Sequence, residues 1–294
     1  MTMTTTTTTP TTAAATRFTE RDVEQFFDST TQTYLSFWDS EGVLHTGYFA
    51  QDNADDYAAA AEHTSRLLGD EAGIGAASRV LDVGCGCGNF VFHLARRLAC
   101  TCEGLDLSRE RIEFAERKRA EAPDELARRA TFRHGSATRL PYPAGSFSHV
   151  VSQDALFLVP DKPASHAEMF RVLAPGGRLA LTDFLQPRAQ IGARARRHVY
   201  DRVRWTEGLS LVGYQEALER AGFRIRLARE LSPHLQRTYQ VLGRVAAHRA
   251  ETAASAAARD WMRAFSASCH EIGLAIDDGE FGWGLVVADR PGPP

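Results

Sequence analysis

Lysine is almost missing from this chain: Lys118 and Lys162 are the only two, and arginine carries nearly all of the positive charge. The formal net charge is −3 at pH 7 and the isoelectric point is about 6.4. Binding a phosphate backbone requires a basic excess that this chain does not have, so nucleic acid is not expected as a partner. No apolar run approaches the ~20 residues that span a bilayer, and no charged region followed by a hydrophobic stretch opens the sequence. Neither membrane anchor nor signal peptide is expected, and the reading is cytoplasmic. Cysteine is scarce and odd in number, with four of the five arranged as Cys85-x-Cys87 and Cys100-x-Cys102. The first pair lies in a glycine run and the second at a strand whose alternate residues share a face, so small buried side chains are expected there and no metal.

What the sequence does contain is enough apolar residue, 44% of 294, for one large core with elaborations. Residues 1–17 are mostly Thr and Ala, too poor in large apolar groups to offset the entropy of ordering, and read as a disordered tail. A capping box, Thr19-x-x-Asp22, then opens a helical pattern carrying Val23, Phe26 and Phe27, and residues 18–70 read as an N-terminal helical cap. From Arg79 onward, short β-branched runs alternate with helical periodicity, the pattern of a parallel sheet covered on both faces. Seven strands are expected, at Arg79–Val83, Thr101–Asp106, Thr131–His134, His149–Ser152, Arg178–Phe184, Phe223–Arg229 and Phe281–Ala288. Helices are expected at Asn89–Leu98, Arg109–Ala120, Lys162–Leu173 and Leu211–Ala221. The core runs over residues 71–290, with insertions at 186–209 and 233–278 that break the alternation. In the second, one long Ala/Arg-rich helical pattern from about Tyr239 to Phe265 reads as a lid.

The segment Arg79-Val-Leu-Asp-Val-Gly-Cys-Gly-Cys-Gly-Asn89 carries the most information. An apolar strand runs into Gly84, Gly86 and Gly88 and then into a helix, where glycine permits a tight turn and close approach of a ligand to the backbone. A dinucleotide fingerprint G-x-G-x-x-G needs glycine at position 89, which is Asn89 here. Asp82 precedes the run, and Asp106 closes the next strand, where a carboxylate accepts hydrogen bonds from ribose hydroxyls. The spacing therefore points to a nucleoside cofactor.

These residues resemble those of a known family. Leu81-Asp-Val-Gly-Cys-Gly-Cys-Gly88, Gly104-Leu-Asp-Leu-Ser108, Leu140-Pro-Tyr-Pro-Ala-Gly-Ser-Phe147 and Arg171-Val-Leu-Ala-Pro-Gly-Gly-Arg178 are similar, in order and spacing, to the motifs of class I S-adenosylmethionine-dependent methyltransferases. The resemblance implies a Rossmann-like α/β fold, a seven-stranded, mostly parallel sheet with helices on both faces and a reversed final hairpin. It implies that S-adenosylmethionine is the cofactor and S-adenosylhomocysteine the product. Cofactor contacts would come from Asp82, Gly84, Cys85, Gly86, Gly88, Asp106, Leu107, Ser136, Ala137 and Gln153, with Tyr48 and His45 closing over them. The family often carries Asp at the position of Ser136, where it holds the adenine amino group.

Ser152-Gln-Asp-Ala-Leu156 is similar to segments of sarcosine/dimethylglycine-like and phosphoethanolamine methyltransferases, and Leu44-His-Thr-Gly-Tyr48 resembles natural-product tailoring members. Both imply a small-molecule acceptor. Many such relatives carry His at the position of Leu158, often as a general base. Asp183, at the end of the fifth strand, is the alternative base, and its plain alternative is a buried Asp satisfying backbone groups. Phe157, Leu158, Phe184, His198, Tyr200 and Trp205 are the acceptor-site candidates, suggesting an apolar secondary metabolite; Tyr34 and Trp38 could cover the sulfonium. The oligomeric state expected is monomer or homodimer. Two competing activities are a cyclase or rearrangement enzyme keeping the same cofactor and, against Asn89, a nicotinamide oxidoreductase.

Overall fold

The computed structural model describes residues 18–37, 41–43, 45–50, 56–205 and 207–292. The expected disordered tail and Trp38 lie outside these.

The centre is a seven-stranded sheet in the order β3-β2-β1-β4-β5-β7-β6. Its strands are β1 (Arg79–Val83), β2 (Thr101–Asp106), β3 (Ala130–His134), β4 (Phe147–Gln153), β5 (Leu173–Leu185), β6 (Arg224–Glu230) and β7 (Gly282–Asp289). Neighbours pair in parallel except β7, which runs antiparallel to both β5 and β6. Adjacent strand residues point to opposite faces, and the sheet divides its apolar side chains accordingly. Val80, Val151, Ala180 and Trp283 belong to one core, while Leu81, Val150, Leu179 and Val286 belong to the other. Burying a large aliphatic side chain contributes roughly 1.5–3 kcal/mol, and the central strands are buried on both faces because helices cover both.

Those helices are α1 (Glu20–Phe37), α2 (Tyr57–Ala72), α3 (Asn89–Leu98), α4 (Arg109–Glu121), α5 (Asp124–Arg129), α6 (Lys162–Val172), the short α7 (Ala193–Ala195), α8 (Leu211–Arg220), α9 (Ser232–Thr252) and α10 (Ala256–Asp277). Starts are fixed by side-chain caps: Ser108, Asp161 and Ser210 accept from the backbone amides of Arg111, Ala164 and Gly213. The expected capping box is present, Thr19 N donating to Asp22 Oδ2 at 2.7 Å and Asp22 N to Thr19 Oγ1 at 3.3 Å. The Thr19 hydroxyl also donates to Asp22 Oδ2 at 2.7 Å, and this bond first, with the Thr19 backbone N–H next, holds the Asp22 carboxyl below its ordinary range.

Two expectations change. β5 begins at Leu173, ahead of the expected Arg178, because Leu173 pairs with Phe147 before the Pro175-Gly176-Gly177 segment. The single lid helix is instead a hairpin of α9 and α10, interrupted where Ser255 turns extended and caps α10 through Ala258 N at 3.1 Å. The 186–209 insertion continues from α7 into a π-helical turn, Arg196–Tyr200, and a 3₁₀ turn, Asp201–Val203.

Candidate active site

The carboxyl ends of β1, β2 and β4 converge on a cleft of about 1500 Å³, its open mouth included. Gly84 has φ +81°, and a Cβ there would lie 2.3 Å from Ala155 Cβ. The turn cannot relax away, since Gly84 N and Cys85 N both donate to Leu105 O, at 2.7 and 3.0 Å. Glycine is thus required by conformation and by space. Gly86 N then donates to Asp106 Oδ2 at 2.8 Å, and Ser108 N to Asp106 Oδ1 at 2.8 Å. Each Asp106 oxygen keeps a further lone pair, so the carboxylate is oriented by its own loop and still able to accept from a ligand.

Asp82 lies behind it, 1% exposed, with Oδ1 lacking any hydrogen-bond partner. Burial, and next the Asp106 charge, push its carboxyl up to about 8. A buried, unsatisfied carboxyl oxygen is costly, and a cationic donor would relieve it.

Of the sequence candidates, Asp82, Gly84, Cys85, Gly86, Asp106 and Leu107 line the cleft, as do Ala137, Gln153 and His45. So do Phe157, Leu158 and Phe184 on the far wall, with Phe157 and Phe184 in contact at 4.7 Å between ring centroids. Gln153 Nε2 lies 3.2 Å from His45 Nδ1, which is also 3.3 Å from Thr46 O.

Several others sit elsewhere. Gly88 underlies the turn, where a Cβ would strike Phe132 at 2.6 Å. Tyr48 stacks on His234 at 4.1 Å, and Phe49 N donates to His234 Nδ1, so this aromatic fixes the loop rather than the ligand. Ser136 donates to Glu20 Oε1 at 2.6 Å and is absent from the cleft wall; Glu20 of α1 lines it. An acidic group thus stands beside the Ser136 position, delivered by the cap. Val23, Glu24 and Phe27 come with it.

The acceptor candidates in the insertion are corrected. Tyr200 and Trp205 are both fully buried and stack on each other at 4.2 Å, with the Tyr200 hydroxyl donating to Glu280 O. They form the core under the cleft, not its wall. His198 Nδ1 instead lies 3.3 Å from Ser268 Oγ on α10. Asp183 is likewise not at the wall: it is completely buried and accepts from the Tyr214 hydroxyl. Burial above all pushes its carboxyl up to about 8. A base must reach the proton that it removes, and this carboxyl is enclosed.

Three wall residues had no sequence signal strong enough to single them out: Glu20, Arg202 and Tyr239. Asp154, within the Ser152–Leu156 segment, also lines the cleft and is central to it. At φ +51° it is one of the non-glycine residues in the left-handed region, and its carboxylate accepts from Thr46 N (2.8 Å), Thr182 Oγ1 (2.9 Å) and Trp283 Nε1 (2.7 Å). It joins the 45–50 loop to β5 and β7.

Residues 80–177 match the family model described as "Methyltransferase domain". The chain is 31% identical over 224 residues to the 27-O-demethylrifamycin SV methyltransferase of Amycolatopsis mediterranei (strain S699), covering 74% of this chain and 79% of that protein. The chain belongs to the class I S-adenosylmethionine-dependent methyltransferases. Methyltransferase GfsG of Streptomyces halstedii is 32% identical over 167 residues, 56% of this chain and 58% of that protein, so the match spans less than two thirds of GfsG. Among solved folds, that of a putative sarcosine dimethylglycine methyltransferase from Galdieria sulphuraria superposes with a TM-score of 0.80 at 22% identity, covering 90% of this chain and 99% of that one.

The methyltransferase cofactor suits the residues present. Asp106 offers spare lone pairs to two ribose hydroxyls, the orphaned Asp82 Oδ1 suits an ammonium, and Leu107, Ala137, Val23 and Phe27 suit a flat ring. No helix among the described residues is long and apolar enough to cross a membrane.

Proposed function

We propose that this methyltransferase acts on a small-molecule acceptor with a substantial apolar surface. The observation that carries this reading is the continuity of one cleft, from Asp82 and Asp106 at the polar end to Phe157, Leu158 and Phe184 at the apolar end. When bound, S-adenosylmethionine supplies an electrophilic sulfonium methyl group, open to in-line displacement by a nucleophile.

The protein's share is alignment, exclusion of water and handling of a proton. Asp106 and the glycine turn hold the nucleoside; Glu20 and Phe27 of α1 close the ring end. The aromatic wall orients the acceptor and keeps water out, so that attack proceeds from a near-attack geometry. For a hydroxyl acceptor the proton goes to His45, the imidazole at the wall: Nε2 is the basic nitrogen in the tautomer that directs Nδ1–H at Thr46 O, which requires the Gln153 amide to turn its oxygen, in place of its own Nε2, toward that N–H.

The test is calorimetric titration with S-adenosylmethionine, S-adenosylhomocysteine and NAD(H), with Asp106→Ala as control, followed by an acceptor screen read as S-adenosylhomocysteine formed. Binding of both sulfur nucleosides, weakened in the control, with apolar acceptors outcompeting sarcosine and ethanolamine phosphate, supports the proposal. The reverse ranking overturns the acceptor class. Tight binding with no S-adenosylhomocysteine over any acceptor moves the activity to a rearrangement on this scaffold.

A further inference from the structure

Arg202 stands on the cleft wall, half-buried, with no carboxylate at ion-pair distance among the described residues. Its guanidinium makes two hydrogen bonds, Nε to His198 O at 3.1 Å and Nη2 to the Tyr239 hydroxyl at 3.3 Å. Both acceptors are neutral. Guanidinium has five N–H donors and does not lose its charge at any ordinary pH, so three N–H groups and a full positive charge are left over. Holding that charge away from bulk water without a counter-charge is unfavourable, and sites of this kind recruit an anion.

No acid described on the cleft wall pairs with Arg202: Asp82, with one oxygen unpartnered, is buried behind the glycine turn, and Glu24 lies 3.2 Å from His134 Nε2. Asp106 is held by its own loop, Glu20 by Ser136 and Thr138, and Asp154 by three donors. The Tyr239 hydroxyl and Tyr34 stand nearest Arg202, and the same wall carries the apolar Val203, Phe157 and Phe184. The other wall arginine, Arg111, lies over the Phe27 ring at 4.0 Å and lines the cleft beside the glycine turn and Asp106, at the nucleoside end.

We propose that Arg202 anchors a carboxylate carried by the acceptor, so that the substrate class is an apolar body bearing one acidic group. A guanidinium meets a carboxylate with two parallel, charge-assisted hydrogen bonds. A phosphate dianion calls for more than one cation, and the acceptor end of this cleft presents one. The inference rests on the small-molecule methyltransferase reading and narrows it: the carboxylate fixes one end of the acceptor, and the aromatic wall turns the nucleophile toward the cofactor. Tyr239 then serves as a positioning residue, holding the guanidinium plane.

The experiment uses the full chain saturated with S-adenosylhomocysteine and two probes of matched shape, 4-phenylbutanoate and 4-phenylbutanamide, titrated by calorimetry at low and high salt. Wild type should bind the carboxylate about tenfold or more tighter than the amide, the worth of one charge-assisted pair, and added salt should reduce that preference. Arg202→Met should remove the preference and leave amide affinity within about twofold; Arg202→Lys should keep part of it. S-adenosylhomocysteine affinity, measured first in each variant, reports an intact fold. Equal affinity for the two probes in wild type, or binding of neither, overturns the assignment, and this arm needs no variant. Failure of S-adenosylhomocysteine to bind wild type is a different result, which removes the methyltransferase reading itself.

Discussion

Replacing Gly84 by Ala tests the geometry of the cofactor turn most directly. Two costs act together. An L-residue at φ +81° is displaced into the left-handed region, worth roughly 1–2 kcal/mol. The new methyl then meets Ala155 Cβ at 2.3 Å, well inside contact distance, and overpacking of this kind costs roughly 1–3 kcal/mol. Neither partner moves freely, because Gly84 N is bonded to Leu105 O and Ala155 follows Asp154, whose carboxylate is held by three donors. The single variant should therefore lose about 2–5 kcal/mol, a large part of a typical 5–15 kcal/mol stability but compatible with folding. Denaturant unfolding measures that loss and calorimetry the drop in S-adenosylhomocysteine affinity. The decisive arm is the double variant with Ala155→Gly. It removes the collision and leaves the backbone strain, so the two substitutions should be coupled by about 1–3 kcal/mol in a double-mutant cycle. Additive effects, or a Gly84→Ala protein of unchanged stability, would refute the close approach of the glycine turn to the end of β4.

Five further outcomes are expected. Asp183→Asn should keep its kcat within a few-fold, because the buried carboxyl does not touch the acceptor; a hundredfold loss would restore it as the base. The same variant should alter pH dependence of folding. With the folded-state carboxyl at about 8 and an unfolded value near 3.8, the native state holds a proton that the unfolded chain releases, so stability is full at low pH and falls as pH rises toward 8. Asp82 acts in the same direction, so Asp183→Asn should flatten only part of the decline seen by thermal unfolding between pH 5 and 8. Binding of S-adenosylhomocysteine should release a proton from Asp82 between pH 6 and 8, seen as a calorimetric enthalpy that depends on the buffer and loses that dependence in Asp82→Asn. Glu20→Ala should weaken S-adenosylhomocysteine by about fivefold to tenfold, one charged hydrogen bond, and His45→Asn should cut kcat by roughly a hundredfold on a hydroxyl acceptor with little change in nucleoside affinity.

Legibility followed the range of the forces involved. β1, β2 and α3 have the bounds that the sequence suggests, because a run buried on both faces followed by glycines is a local pattern. Asp82 and Asp106 could be found for the same reason. The α9–α10 hairpin was harder: the break falls at Ala253–Ser255, where Ser255 is the one capping residue in an Ala-rich run. Tyr200 and Trp205 show how aromatic residues mislead, since residue type does not say whether a ring faces a cleft or its neighbour. Arg202 was invisible in a chain where arginine is the ordinary cation; only the absence of an acidic partner among the described residues marks it. Glu20 is similar, a solvent-type residue on a helix until the cap folds over β3 and brings it to Ser136.

The position of β7 between β5 and β6 sets an order for assembly. As the chain is synthesised, β5 emerges with one edge open and β6 without a strand partner, and both wait for residues 282–289. Trp283, whose indole N–H completes the set of donors on Asp154, arrives with the same strand. The nascent protein can thus build the nucleoside half of its cleft early, on β1, β2 and β4, while the Phe184 side, paired with Trp283, waits for β7. A ribosomal stall before that strand leaves a polypeptide with the β5 edge open and β6 unpaired, a template for aggregation and a natural target for degradation.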